Sequence, residues 1–158
     1  ILDVGSGDSR LVDCLLDAGY ENITVLDISE KALLRAQKRL GDKASKVTWV
    51  VSDITTFKPD RPFDVWHDRA AFHFLTEAEH ISQYVDLASN CVKGYLSVGT
   101  FSKQGPFKCS GLNISQYSEE ELMSLFSSGF HLLDSKREDH KTPFDTLQNF
   151  LFCSFMKK

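Results

Sequence analysis

No stretch of this sequence approaches the roughly 20 consecutive apolar residues that a membrane-spanning helix needs. Its apolar runs are short and broken by charge. A basic excess is also missing. The 18 Lys and Arg are outnumbered by 22 Asp and Glu, for a formal net charge of -4, so no broad positive field awaits a nucleic-acid backbone. Cysteine is sparse and scattered. Cys14, Cys91, Cys109 and Cys153 form no C-x-x-C pair and have no His at a zinc-ligand spacing, which argues against a metal site and a disulfide framework. Reduced thiols in a cytoplasmic protein are the expectation. Cys14, Cys91 and Cys153 are expected to fill the core, with Cys109 exposed in a loop. An initiator Met is absent, and the chain opens on Ile1-Leu2-Asp3-Val4, already strand-like. The expectation is one domain over residues 1–158 that lacks helices preceding its first strand.

What is present is an ordinary globular composition: 42% hydrophobic and 25% charged residues in a chain of 158, enough for one cored domain. Short apolar runs alternate with helix-like segments. Strands are predicted at residues 1–4, 23–26, 47–51, 63–66 and 95–101, and helices at about 11–16, 30–40, 79–92 and 119–126. Asp8 or Ser9 is expected to cap the first helix and Ser29 the second. Thr76/Glu79 and Ser118/Glu121 have the spacing of capping boxes. Residues 130–135 and 150–156 read as two final strands with no helix between them, which only an antiparallel pair allows. Right-handed crossovers turn the remainder into a doubly wound, three-layer αβα sandwich around a mostly parallel sheet.

The first strand runs into Asp3-Val4-Gly5-Ser6-Gly7. Glycines there allow a sharp turn and close approach of a ligand to backbone, and the helix behind them offers free N–H groups. Asp27 follows Gly7 by twenty residues at the end of the second strand, where a carboxylate faces the ribose of a nucleotide in this topology. Asp53 ends the third strand and faces the same crevice. A dinucleotide fingerprint needs a third small residue three positions after the second Gly; here that position is Arg10. The carboxylate of Asp3 repels a pyrophosphate and attracts an ammonium or sulfonium. A cationic nucleoside cofactor is therefore favoured over a nicotinamide or flavin dinucleotide.

With these residues the sequence resembles the class I S-adenosylmethionine-dependent methyltransferases. The resemblance rests on Asp3–Gly7, Asp27 and Ser52-Asp53-Ile54. It implies a seven-stranded sheet of order 3-2-1-4-5-7-6 with the last strand antiparallel. It also implies S-adenosyl-L-methionine as cofactor and S-adenosyl-L-homocysteine as product. Asp3, Gly5, Ser6 and Gly7 are then expected to line the methionine part, Asp27 the ribose hydroxyls and Ile28 an adenine face. Asp53 would meet the adenine amino group, with Ile54 against the ring. The segment from Trp66 to Leu75, Trp-His-Asp-Arg-Ala-Ala-Phe-His-Phe-Leu, looks like a bacterial branch described only as methyltransferases. Neither the Asn/Asp-Pro-Pro-Tyr/Phe motif of adenine and glutamine methyltransferases nor a Pro-Cys nucleophile is present. No metal is expected.

The end of the fourth strand lies beside the transferable methyl in this fold, so His67 and Asp68 are candidates to touch cofactor or acceptor. Two further loops, residues 102–117 and 137–148, are expected to converge on the same face as an acceptor pocket. They contribute Tyr117 and His140 as candidate bases. His73 is expected to play a hydrogen-bonded structural role. The acceptor is a small molecule or a protein side chain, with no nucleic-acid or membrane partner, and the protein a monomer or weak homodimer. A non-catalytic cofactor-binding subunit of the same fold is the alternative.

Overall fold

The computed structural model describes residues 1–142, 145 and 147–158. Seven strands form one sheet in the order β3-β2-β1-β4-β5-β9-β8. They are β1 (Leu2–Val4), β2 (Ile23–Asp27), β3 (Val47–Val51), β4 (Phe63–Arg69), β5 (Val92–Phe101), β8 (Phe130–Lys141) and β9 (Leu147–Lys157). The first five are parallel, and β9 runs antiparallel to both β5 and β8. With the small hairpin β6 (Lys108–Cys109) and β7 (Leu112–Asn113) set aside, this is the order 3-2-1-4-5-7-6 of the class I methyltransferase fold.

Two helix pairs make the outer layers. Leu15 and Leu16 of α1 (Leu11–Asp17) and Leu33 of α2 (Glu30–Leu40) pack on Ile23, Val25 and Val47. On the other face, Tyr84 and Ala88 of α3 (Ala78–Cys91) and Leu122 and Phe126 of α4 (Glu119–Phe126) pack on Leu2, Trp66, Leu96 and Phe155. Each helix lays one apolar stripe on the sheet, at the i, i+3, i+4 spacing of the sequence.

Local signals were obeyed where nothing competed. Ser29 caps α2 through the Ala32 N–H, and Ser118 with Glu121 closes a reciprocal capping box on α4. The box expected at Thr76 and Glu79 does not form: Glu77 is the N-cap of α3 and makes no side-chain cap bond. Arg10 occupies the N-cap position of α1, and the Ser9 hydroxyl accepts the Leu11 N–H at 3.1 Å, whereas Asp8 makes no bond to the helix start. Asp8 is held instead by the Arg35 guanidinium of α2 at 2.8 Å. A two-pronged ion pair with Arg outcompetes a single cap bond. Cys14 is exposed rather than in the core, Cys153 is buried, and all four thiols are free. Among the described residues no helix is long and apolar enough to cross a membrane, and no group of three or more His, Cys, Asp or Glu is placed to hold a metal ion.

Candidate active site

The C-terminal ends of β1, β2, β3 and β4 open on one edge of the sheet, because all four run parallel. At the end of β1 the backbone turns through Gly5 at φ +64° and Gly7 at φ +51°, left-handed values that L side chains resist. The Gly5 N–H donates to the Leu26 carbonyl at 2.8 Å, which holds the turn against β2. The Gly7 N–H donates to Oδ2 of Asp27 at 2.7 Å, and the Ser29 N–H donates to Oδ1 at 2.7 Å. Asp27 thus clamps the glycine loop to the start of α2, while each oxygen keeps a lone pair for a further donor.

Asp3 lies beneath this loop and is buried. Its Oδ1 is 2.8 Å from Nδ1 of His67, its direct register partner on β4. Its Oδ2 and the Ser6 hydroxyl are buried without a hydrogen-bond partner. A buried carboxylate with one uncompensated oxygen is a strong acceptor beside the loop, and it favours a cationic ligand. A carboxylate only accepts, so Nδ1 carries the imidazole proton. In the neutral tautomer set by this contact, Nε2 is the nitrogen that carries the lone pair. The His67 side chain is 28% exposed.

The structure separates His67 from Asp68. β4 continues to Arg69 rather than ending at Trp66, so successive side chains point to opposite faces. Asp68 is completely buried on the α3 side. Its Oδ1 accepts the Ala71 and Phe72 N–H groups at 2.9 and 3.1 Å, and its Oδ2 accepts the Tyr84 hydroxyl at 2.7 Å. Both oxygens of Asp68 are thus engaged inside the core, on the face opposite His67. Burial outweighs these donors and pushes its carboxyl up to about 6.

The two expected acceptor loops are not both loops. β8 and β9 extend much further than their apolar segments. His140 therefore lies on exposed strand β8, opposite Gln148 and edge-on to Phe150. Alternating polar residues on an edge strand look like a loop in sequence. Pro143 and Phe144 of that segment lie outside the described residues. In residues 102–117 the β6–β7 hairpin replaces an open loop. Tyr117 is buried, its ring 5.2 Å from Phe72, with its N–H bonded to Phe101. Burial raises its hydroxyl pKa, which disfavours it as a base. Of the residues expected at the adenine, Ile28 is exposed, whereas Ile54 belongs to the larger core cluster. Oδ1 of Asp53 caps its own turn through the Thr55 N–H and hydroxyl, each at 2.8 Å.

His73 is buried, and neither ring nitrogen has a hydrogen-bond partner. It stacks on Phe101 at 4.5 Å, so its role is aromatic rather than hydrogen-bonded. Burial lowers its pKa to about 4. The folded pKa is depressed, so its contribution to stability is present above the unfolded value and is lost as pH falls toward the folded one. Asp68 runs the other way: its raised pKa adds stability on acidification. We expect His73→Phe, which keeps the stacked ring, to lose about 2 kcal/mol less stability than wild type between about pH 7 and pH 5. Urea denaturation at the two pH values checks this, and equal losses would refute it.

Residues 1–94 match the methyltransferase domain family. The chain belongs to that family. The methyltransferase domain is 31% identical over 102 residues to an eEF1A lysine and N-terminal methyltransferase of Bos taurus, covering 63% of this chain and 15% of that protein. The Mus musculus protein of the same description is 31% identical over 84 residues, covering 52% of this chain and 12% of that protein. The chain thus spans only a small part of the length of these curated relatives. In fold, the domain superposes on the N-methyltransferase NodS from Bradyrhizobium japonicum WM9 with a TM-score of 0.77 at 18% identity, covering 99% of this chain and 84% of that one. A Burkholderia thailandensis 1,6-didemethyltoxoflavin-N1-methyltransferase gives 0.77 at 21% identity, covering 99% and 70%.

Proposed function

We propose that this domain binds S-adenosylmethionine over the β1–α1 loop and directs its methyl group to an amine nitrogen of a protein by in-line displacement. The observation that carries the cofactor reading is the glycine loop clamped by Asp27 above the uncompensated Oδ2 of Asp3. The residues fit the group. Gly5, Ser6 and Gly7 offer a close-approach backbone and a buried hydroxyl without a partner, and Asp3 offers a negative charge beside an ammonium and a sulfonium. Asp27 has lone pairs left for ribose hydroxyls. Ile28 and Asp53 face the adenine side, with Ile54 packed behind them. Bound there, S-adenosylmethionine supplies an electrophilic methyl on a positively charged sulfur.

The chain's own work is alignment, exclusion of water and proton removal. An amine presented as an ammonium has no lone pair until it loses a proton. Oriented by Asp3, His67 in its neutral form has Nε2 as the acceptor that would take this proton. A protein amine is supported by the 31% identity to methyltransferases described as acting on eEF1A lysine and N-terminus. We extend the proposal to a cytoplasmic domain, monomeric or weakly homodimeric, with neither nucleic acid nor membrane as partner.

Calorimetry with S-adenosylmethionine and S-adenosylhomocysteine tests the cofactor, and transfer of a labelled methyl group to protein and metabolite pools tests the acceptor. Asp27→Ala should weaken cofactor binding by about 1–3 kcal/mol, the scale of hydrogen bonds to a charged group. Absence of binding by the wild-type protein removes the proposal. Binding without transfer to either pool favours a non-catalytic subunit. Label only in metabolites moves the acceptor to a small molecule.

A further inference from the structure

Asp68 is a costly residue to place where it is. A fully buried carboxylate whose pKa is raised lowers the stability of the fold at neutral pH, and an apolar side chain would pack there at less cost. Four hydrogen bonds converge on Asp68, three directly and one through Tyr84. Trp66 Nε1–H donates to the Tyr84 hydroxyl at 2.9 Å, and the Tyr84 hydroxyl donates to Oδ2 of Asp68 at 2.7 Å. Oδ1 receives the N–H groups of Ala71 and Phe72. Trp66, Asp68 and Tyr84 are each 0% exposed.

The far end of this chain meets the glycine loop. Ala70 has φ +68°, a strained value for a residue with a side chain, and its N–H is tied to the Gly99 carbonyl at 2.8 Å. Ala71 then comes so close to Gly5 that a Cβ built on Gly5 would stand 2.4 Å from its Cβ. The shape of the cofactor loop and the position of the 70–71 turn are therefore one geometric variable. Asp68 holds one side of it.

We propose that Trp66, Tyr84 and Asp68 form a buried relay that positions the 70–71 turn against Gly5 and thereby presets the glycine loop for its ligand. Asp68 and Tyr84 are positioning residues, acting from the α3 side of the sheet through Ala71. The inference rests on the cofactor reading above. The titratable group facing Asp68 is Tyr84 from α3; His67, on the opposite face of the same strand, acts on it only through charge, and Val4 of β1 and Val98 of β5 flank it on the neighbouring strands.

The test measures S-adenosylhomocysteine affinity by calorimetry, well below each variant's unfolding midpoint. Tyr84→Phe keeps the ring and deletes only the relay hydroxyl, and should weaken binding about tenfold. Asp68→Asn keeps an oxygen for both amides and should stay within about threefold of wild type; Asp68→Ala should lose tenfold or more. Phe126→Leu perturbs the same aromatic cluster, where Phe126 packs against the Tyr84 and Phe72 rings, but it removes none of the relay's hydrogen bonds. It should lower the melting temperature and leave the affinity unchanged. If Tyr84→Phe binds within twofold of wild type, or if Phe126→Leu weakens binding as much as Tyr84→Phe, the relay is overturned and the residues are only structural. If wild-type protein itself binds no S-adenosylhomocysteine, the cofactor reading fails and the relay with it. That result is separate from binding by wild type that is indifferent to Tyr84.

Discussion

A Gly5→Ala protein should bind S-adenosylhomocysteine at least about a hundredfold more weakly than wild type, a loss of roughly 3 kcal/mol. Two costs combine. The backbone at φ +64° penalises any L side chain by about 1–2 kcal/mol. The added methyl would also stand 2.4 Å from the Ala71 Cβ and 3.5 Å from its Cα, when carbons rest at about 3.5–4 Å. Ala71 has nowhere to retreat, since its N–H is held by Asp68 and the preceding N–H by Gly99. The glycine loop is the element that must yield, and it is the element we propose as the ligand's seat. The double variant Gly5→Ala/Ala71→Gly should recover the steric part and leave the backbone part, so the two substitutions are coupled. Calorimetry on the two single variants and the double variant checks this. Unchanged affinity in Gly5→Ala would remove the loop from the binding site.

His67→Ala should lower kcat by about 10²–10⁴-fold, the usual contribution of a positioned base, with cofactor affinity little changed. The separation of the two effects is the informative part. His67 sits on the sheet face that carries Asp3, one position from Asp68, yet the two side chains point to opposite faces and share no hydrogen-bond partner. Removal of the imidazole leaves the Asp68 relay and the Asp27 clamp intact. It also frees both oxygens of Asp3, which should still attract the cationic end of the cofactor. Steady-state assays with saturating cofactor and a protein acceptor, together with calorimetry, give both quantities. A His67→Ala enzyme running at the wild-type rate would exclude the Asp3–His67 pair as the proton acceptor.

Much of this molecule was legible without coordinates. The apolar periodicities marked the strands of the main sheet and the four helices, and the missing crossover between the last two strands identified them as antiparallel. Asp3, the glycine turn, Asp27 and Asp53 could be placed at strand ends because parallel topology forces strand ends to one edge. These signals are local, or depend on connection length alone. They survive because each apolar stripe has only one way to bury itself.

Three features were decided only by tertiary structure. The strand period turns His67 and Asp68 to opposite faces, and that became readable only once β4 was seen to run on to Arg69. Pairing along the β8–β9 hairpin carried His140 out of a supposed loop onto an exposed strand, because backbone hydrogen bonding to a neighbour overrides a polar sequence. The contact between Gly5 and Ala71 joins residues 66 positions apart, and the Trp66–Tyr84–Asp68 chain behind it joins residues 16 and 18 positions apart. A single sequence carries no mark of such a meeting: Tyr84 reads as an ordinary apolar helix position, and Ala71 as nothing at all. Chain topology brings the chemistry to one edge of the sheet. Packing between distant side chains decides which groups face a ligand and which hold the others in place.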